Sequence, residues 1–148
     1  MRFKFDGEAR STFLRNRIGL CVLHPIRECS GARAFVARRN GWKVELAFPK
    51  NIEPQIRGEA NFGDMRTLAH EVQPGVWAEL VFDGEVFEME DQRNWTDASF
   101  KTYGTPLDKP LPVEIKSGTR LSQSVTLSLI KNPTERGQSS RATFPVLR

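Results

Sequence analysis

Leu121–Leu129 reads LSQSVTLSL. Leu121, Gln123, Val125, Leu127 and Leu129 alternate over its whole length with Ser122, Ser124, Thr126 and Ser128. A period of two sustained this long defines a strand with one face toward a core and one toward water. It also sets the scale for its neighbours. Val113 and Ile115 form a short strand before it, and Lys116-Ser117-Gly118-Thr119 turns the chain between the two. Thr105–Pro112 carries three prolines, which rules out a helix and predicts an extended connection or sheet edge.

Further upstream the same pattern recurs. Ala32–Arg39 and Trp42–Phe48 flank Asn40-Gly41, a strong short-range hairpin signal. Met65–Val72 and Val76–Phe82 (VWAELVF) flank Pro74-Gly75, and Asp83-Gly84 predicts a second tight hairpin into Val86–Met89. Thr12–Pro25 (TFLRNRIGLCVLHP) is the strongest apolar run. It predicts one long central strand, with Gly19 at a bulge or at a close approach of another backbone. Phe3 and Phe5 alternate with Arg2, Lys4 and Asp6 in a short half-buried strand. Pro49–Asp64 holds two prolines, two glycines and few apolar residues, as a long loop would. No segment shows sustained helical periodicity and no internal repeat is present. Many short strands with frequent turns predict an all-β fold, an antiparallel β-sandwich, over residues 1–130. Residues 131–148 (KNPTERGQSSRATFPVLR) are polar, basic and rich in breakers, and are expected to form a disordered tail.

Bulk properties bound the function. A chain of 148 residues is one domain, and it buries roughly two-thirds of its unfolded surface without staples. The net charge of +4 invites a nucleic-acid reading. However, residues 1–115 carry 16 Lys+Arg against 17 Asp+Glu, while residues 116–148 carry 6 against 1. The body is a mixed-charge surface rather than a basic footprint, so no nucleic-acid partner is expected. No apolar run reaches the length of a membrane span and no signal peptide is visible, so a cytoplasmic chain without a membrane partner is expected. Cys21 and Cys29 read as free thiols, with Cys21 a small core residue of its strand. His24 lies between them, but no CxxC pair or fourth ligand accompanies it, so neither metal nor cofactor is expected.

Chemistry concentrates in Phe87–Tyr103 (FEMEDQRNWTDASFKTY). Glu88 and Glu90 share a strand face, and with Asp91 and Asp97 they suggest paired carboxylates for glycosidic hydrolysis. Solvated carboxylates on a sheet face are the plainer reading. Arg93, Asn94, Trp95 and Asp97 offer a guanidinium fork, an amide and an indole face suited to sugar hydroxyls and carboxylates, with Glu90 and Lys101 beside them. The same groups equally suit a buried network that fixes a strand crossing, or contact with a second domain. Asn16, Arg17 and His24, at the two ends of an apolar strand, either display polar groups over a cleft or serve as ion-pair and capping groups. No nucleophile elbow or phosphate loop is present, and the catalytic residues are unknown.

Four stretches carry a resemblance to a known family. They are Asn16–Cys29 (NRIGLCVLHPIREC), Leu68–Leu80 (LAHEVQPGVWAEL), Phe87–Leu107 (FEMEDQRNWTDASFKTYGTPL) and Gln123–Leu129 (QSVTLSL). From about Phe3 to Leu129 the chain resembles the N-terminal β-rich domain of bacterial D-apionate lactonases. Such proteins are several times longer. They join this domain to a (β/α) barrel and a small C-terminal β domain, and hydrolyse the lactone of a branched sugar acid in apiose catabolism. The resemblance implies a truncated domain, incomplete at its N-terminal side, whose catalytic groups would sit in a missing barrel. On that basis this chain is expected to be inactive alone and to serve structural, interdomain or carbohydrate-recognition roles. A stand-alone sugar-acid-binding module is the alternative, and a self-contained carbohydrate hydrolase using Glu88 or Glu90 with Asp97 a more distant one. The partners implied are a barrel catalytic domain or a second copy, since a truncated sandwich exposes strand edges and apolar surface.

Overall fold

The computed structural model describes residues 1–52, 54, 61–131 and 133. Eleven strands occur among them: β1 (Arg2–Glu8), β2 (Phe13–Arg15), β3 (Cys21–Pro25), β4 (Arg33–Arg38), β5 (Lys43–Ala47), β6 (Met65–Gln73), β7 (Val76–Asp83), β8 (Glu88–Asp91), β9 (Ser99–Tyr103), β10 (Val113–Ile115) and β11 (Arg120–Ile130). A single helical turn, α1 (Ile26–Cys29), follows β3, and a 3-10 turn spans Gln92–Trp95. The middle of the predicted 49–64 loop, and the predicted tail apart from Lys131 and Pro133, lie outside the described residues.

The strands form a six-stranded antiparallel sheet in the order β1-β11-β7-β6-β4-β5 and a three-stranded one in the order β3-β9-β8, with a β10-β2 pair at one end. Alternation decides which side chains meet. In the large sheet Val125 lies opposite Phe82, Leu68 opposite Leu80, and Val36 opposite Leu68, all on one face. The small sheet contributes Met89 and Phe100 to the same cluster. The two sheets therefore pack face to face as an antiparallel β-sandwich. Phe87 closes the layer: it is fully buried, stacks on Phe82 at 4.7 Å, and bridges by backbone to Met65 of the large sheet. Truncating a buried phenylalanine of this kind costs about 3–5 kcal/mol.

β11 spans the whole predicted stretch as a strand, but its burial alternates only in part: Ser124 is buried beside Val125, and Leu129 is exposed. The Asn40-Gly41 and Pro74-Gly75 turns join β4 to β5 and β6 to β7 as hairpins. Two local expectations are corrected. Thr12–Pro25 is not one strand: β2 pairs with β10, and β3 pairs with β9 in a different sheet. The break falls at Gly19 (φ +121°), where a Cβ would sit 2.0 Å from Oε1 of Gln123. Gln123 takes an inward slot of β11 and needs partners there. It accepts from the Leu20 N–H (2.9 Å) and donates to the Ile18 carbonyl (3.1 Å), drawing the chain out of line. The break also resets the alternation, so Cys21 is exposed on the outer face while Val22 turns inward. Cys29 is the buried thiol, and burial raises its pKa to about 11.

The Asp83-Gly84 turn is likewise no hairpin. β7 already has β6 and β11 as neighbours, so the chain crosses to the small sheet and forms β8 beside β9. Gly84 (φ +92°) permits this crossing, because a Cβ there would lie 2.0 Å from the Ser122 carbonyl.

Candidate functional site

The polar run after Phe87 begins on β8 and ends on β9, and the pleat divides it. Glu88 and Glu90 point to the outer face of the small sheet, as do Lys101 and Tyr103 opposite them; Met89, Asp91, Phe100 and Thr102 point inward. The 3-10 turn between the strands starts with Asp91, whose carboxylate accepts from the Arg93 N–H (3.1 Å). Thr96 closes it with φ +64°.

The inner half is a clamp. Arg93 forms a bidentate pair with buried Asp91 (Nη2 to Oδ2 2.7 Å, Nε to Oδ1 2.9 Å). Its guanidinium also donates to the carbonyls of Pro49 (3.0 Å), Lys50 (2.8 Å) and Asn51 (2.9 Å), and lies 5.2 Å from the Phe100 ring centre. One side chain thus ties the small sheet to the chain leaving β5. Asn94 donates to the Asp91 carbonyl (3.1 Å). His24, from β3, is inward too. It shares a 2.9 Å hydrogen bond with Thr102 and packs against Phe48 and His70, each 5.7 Å between ring centres. Burial, with His70 nearby, drives its pKa down to about 3, so the ring is neutral.

The outer half is a network. The Tyr103 hydroxyl donates to Glu90 Oε2, and Gln92 donates to the same oxygen (2.8 Å). Arg17 stacks over the Tyr103 ring at 4.0 Å and donates to its hydroxyl (3.0 Å). Burial and the Glu90 carboxylate hold the phenol well above its usual pKa. Glu88 is 5% exposed, accepts from the Leu107 N–H (2.7 Å) and lies 4.0 Å from Arg17. Burial raises its carboxyl above the usual range despite these partners. Asp97 pairs with Lys101 (2.6 Å) and accepts from Ser99 (3.1 Å), which lowers the Asp97 pKa and raises that of Lys101.

Of the residues singled out from the sequence, Arg17 and Glu90 meet on the outer face, around Tyr103, and Lys101 lies opposite Glu90 in register. Arg93 and Asn94 group with Asp91, and His24 lies in the core. Trp95 is 70% exposed at the end of the 3-10 turn, and Asn16 is exposed in the link between β2 and β3. Tyr103 is the hub that sequence reasoning passed over; its outward slot opposite Glu88 becomes legible only with the β8–β9 register. Among the described residues no three His, Cys, Asp or Glu side chains gather as a metal site would require. No helix among them is long and apolar enough to cross a membrane.

The fold and this corner define an all-β sandwich domain whose densest polar cluster is largely saturated by its own hydrogen bonds. The chain matches the family model of the D-apionate lactonase N-terminal domain over residues 1–132, and it belongs to that family. It is 42% identical over 127 residues to a D-apionate lactonase of Brucella anthropi, a match covering 84% of this chain and 20% of the relative. The chain thus spans about a fifth of the length of that relative. No solved structure matches it.

Proposed function

We propose that this chain acts as a non-catalytic accessory domain of a sugar-acid lactone hydrolase, with the Phe87–Tyr103 corner serving as an internal brace. The observation that carries this reading is the engagement of Arg93. Its guanidinium is held by one carboxylate and three backbone carbonyls, which is how a structural clamp is built. Glu90, one of the carboxylates that acid–base work would call on, is held by Tyr103 and Gln92. Family membership supports the hydrolase context, and the length of the relative supports a partner region that carries the chemistry.

Two apolar spots suit contact with such a region. Phe3 and Leu129 sit on the inward-facing side of the large sheet yet are 51% and 71% exposed, and Leu23 is 61% exposed on the outer face of the small sheet. The occupant we assign to them is the remaining four-fifths of a lactonase-like protein, with self-association of the isolated chain as the consequence when that region is absent.

The test is hydrolysis of D-apionolactone by the purified chain, alone and mixed with the separately produced remainder of a longer relative. The expected result is no turnover alone and a stable complex in the mixture, weakened by Phe3→Ser with Leu129→Ser. Turnover by the chain alone that disappears in Glu90→Gln would overturn the proposal.

A further inference from the structure

A concentration of cations lies away from the polar run. A cleft of about 380 Å³ opens where the Gly84 crossing passes β11. Arg15, Arg39, Arg66, Lys109 and Arg120 line it, and Glu85 is the one acidic group among the lining residues. They come from β2, from the turn after β4, from β6, from the loop between β9 and β10, and from β11, so the fold alone assembles them. Asp64, Asp83 and Glu8 are partners of Arg39, Arg66 and Arg120, but none of the three lines this cleft.

Arg39 is held by Asp64 at 2.5 Å, but the other ion pairs here are loose. Arg66 lies 3.9 Å from Asp83, Lys109 3.9 Å from Glu85, and Arg120 3.5 Å from Glu8. These separations exceed ordinary N–H···O hydrogen-bond lengths. Glu85 is already occupied as an acceptor by Thr105 (2.7 Å) and Gln123 (3.1 Å). Arg15 is the most telling. Its side chain is only 9% exposed; Nη1 donates to Thr105, Nη2 stays 3.7 Å from Glu85, and Nε is a buried donor without a partner among the described residues. A buried guanidinium with an unmade hydrogen bond carries an unrelieved desolvation cost.

We propose that this cleft binds a small, multiply charged oxyanion through Arg66, Lys109 and Arg120, with buried Arg15 supplying charge from behind. Several cations facing a single engaged carboxylate favour a ligand with more than one negative charge over a monoanion. Guanidinium forks suit carboxylate and phosphate oxygens alike. The volume, near the lower end of the roughly 300–1,000 Å³ found for ligand sites, limits the ligand to a small molecule. The site is separate from the brace formed by Arg93, so it stands whether or not the chain is an accessory domain.

Titration calorimetry at fixed ionic strength tests this, with citrate, pyrophosphate and gluconate as probes. Saturable 1:1 binding of citrate or pyrophosphate is expected, with gluconate at least tenfold weaker; the tighter of the first two identifies carboxylate or phosphate as the preferred group. Arg66→Gln combined with Lys109→Gln should weaken binding at least tenfold. Both side chains are 42% exposed, and an unchanged thermal midpoint verifies that the variant folds. Arg33→Gln, which removes a cation of the β4–β5 surface pair, should leave affinity unchanged. Three results would each overturn the site: no saturable heat with either multivalent probe, equal affinity for gluconate, or equal weakening by the Arg33 and the Arg66/Lys109 variants.

Discussion

The corner formed by Phe87–Tyr103 and the cationic cleft beside Gly84 are opposites. The first is contiguous in sequence and crowded with polar groups, and its groups hold one another: Asp91 with Arg93, Tyr103 with Glu90, Lys101 with Asp97. The second is dispersed over more than a hundred residues, and several of its donors lack close acceptors. Part of a dense polar run folds onto itself because groups such as Asp91 and Arg93, or Asp97 and Lys101, find a partner a few residues away, at little loop-closure cost. Charges brought together only by the tertiary fold have no such local partner. Density along the chain therefore marked self-satisfaction here, and spatial convergence marks the better candidate for a ligand.

The contrast predicts unequal effects of mutation. Arg93→Ala removes one member of a largely buried pair and takes the donor from the part-buried Pro49 carbonyl. We expect a loss of about 3–5 kcal/mol in urea unfolding; a loss under 1 kcal/mol would mean that the clamp is ornamental. The next effect is on pH. The folded-state pKa of His24, about 3, lies below its ordinary 6.5, so the unfolded chain takes up the proton first. Stability is therefore complete above pH 6.5 and declines as pH falls toward 3, by about 1.4 kcal/mol per pH unit. His70, lowered in the same direction by burial, adds to this. Between pH 6.5 and 4.5 the fall should be about 2–3 kcal/mol, and His24→Gln should flatten it.

Gly84→Ala tests the crossing that separates the two regions. Positive φ and the nearby Ser122 carbonyl should make it cost about 1–3 kcal/mol in thermal or urea unfolding, and it should disturb the cleft but not the Arg93 clamp. Arg66→Gln, in the cleft, should change stability by less than about 0.5 kcal/mol, since its ion pair is long and partly exposed. Trp95→Ala should be the mildest, within about 0.5 kcal/mol, because the indole is 70% exposed. A larger effect of Trp95→Ala on the complex with a partner region than on folding would move that residue from the brace to the interface.

Much of the fold was legible in residue order. Period-two alternation in LSQSVTLSL placed β11, and Asn40-Gly41 and Pro74-Gly75 placed two hairpins, because strand faces and tight turns depend on neighbours a few residues apart. The polar run and the family resemblance were legible for the same local reason. The break inside Thr12–Pro25 was not. It depends on Gln123 reaching Leu20 and Ile18 from 103 and 105 residues away. Nor was the crossing at Gly84, which depends on both edges of β7 being taken by β6 and β11.

The sequence by itself determined an all-β chain, its main turns, its apolar faces and the location of its polar groups, since each follows from short-range sterics and burial. Only the tertiary structure decided that Arg93 faces inward to hold three carbonyls, that His24 is a neutral core ring, and that five scattered cations share one cleft. Pairing between distant strands sets those outcomes, and no local pattern encodes which strand becomes whose neighbour.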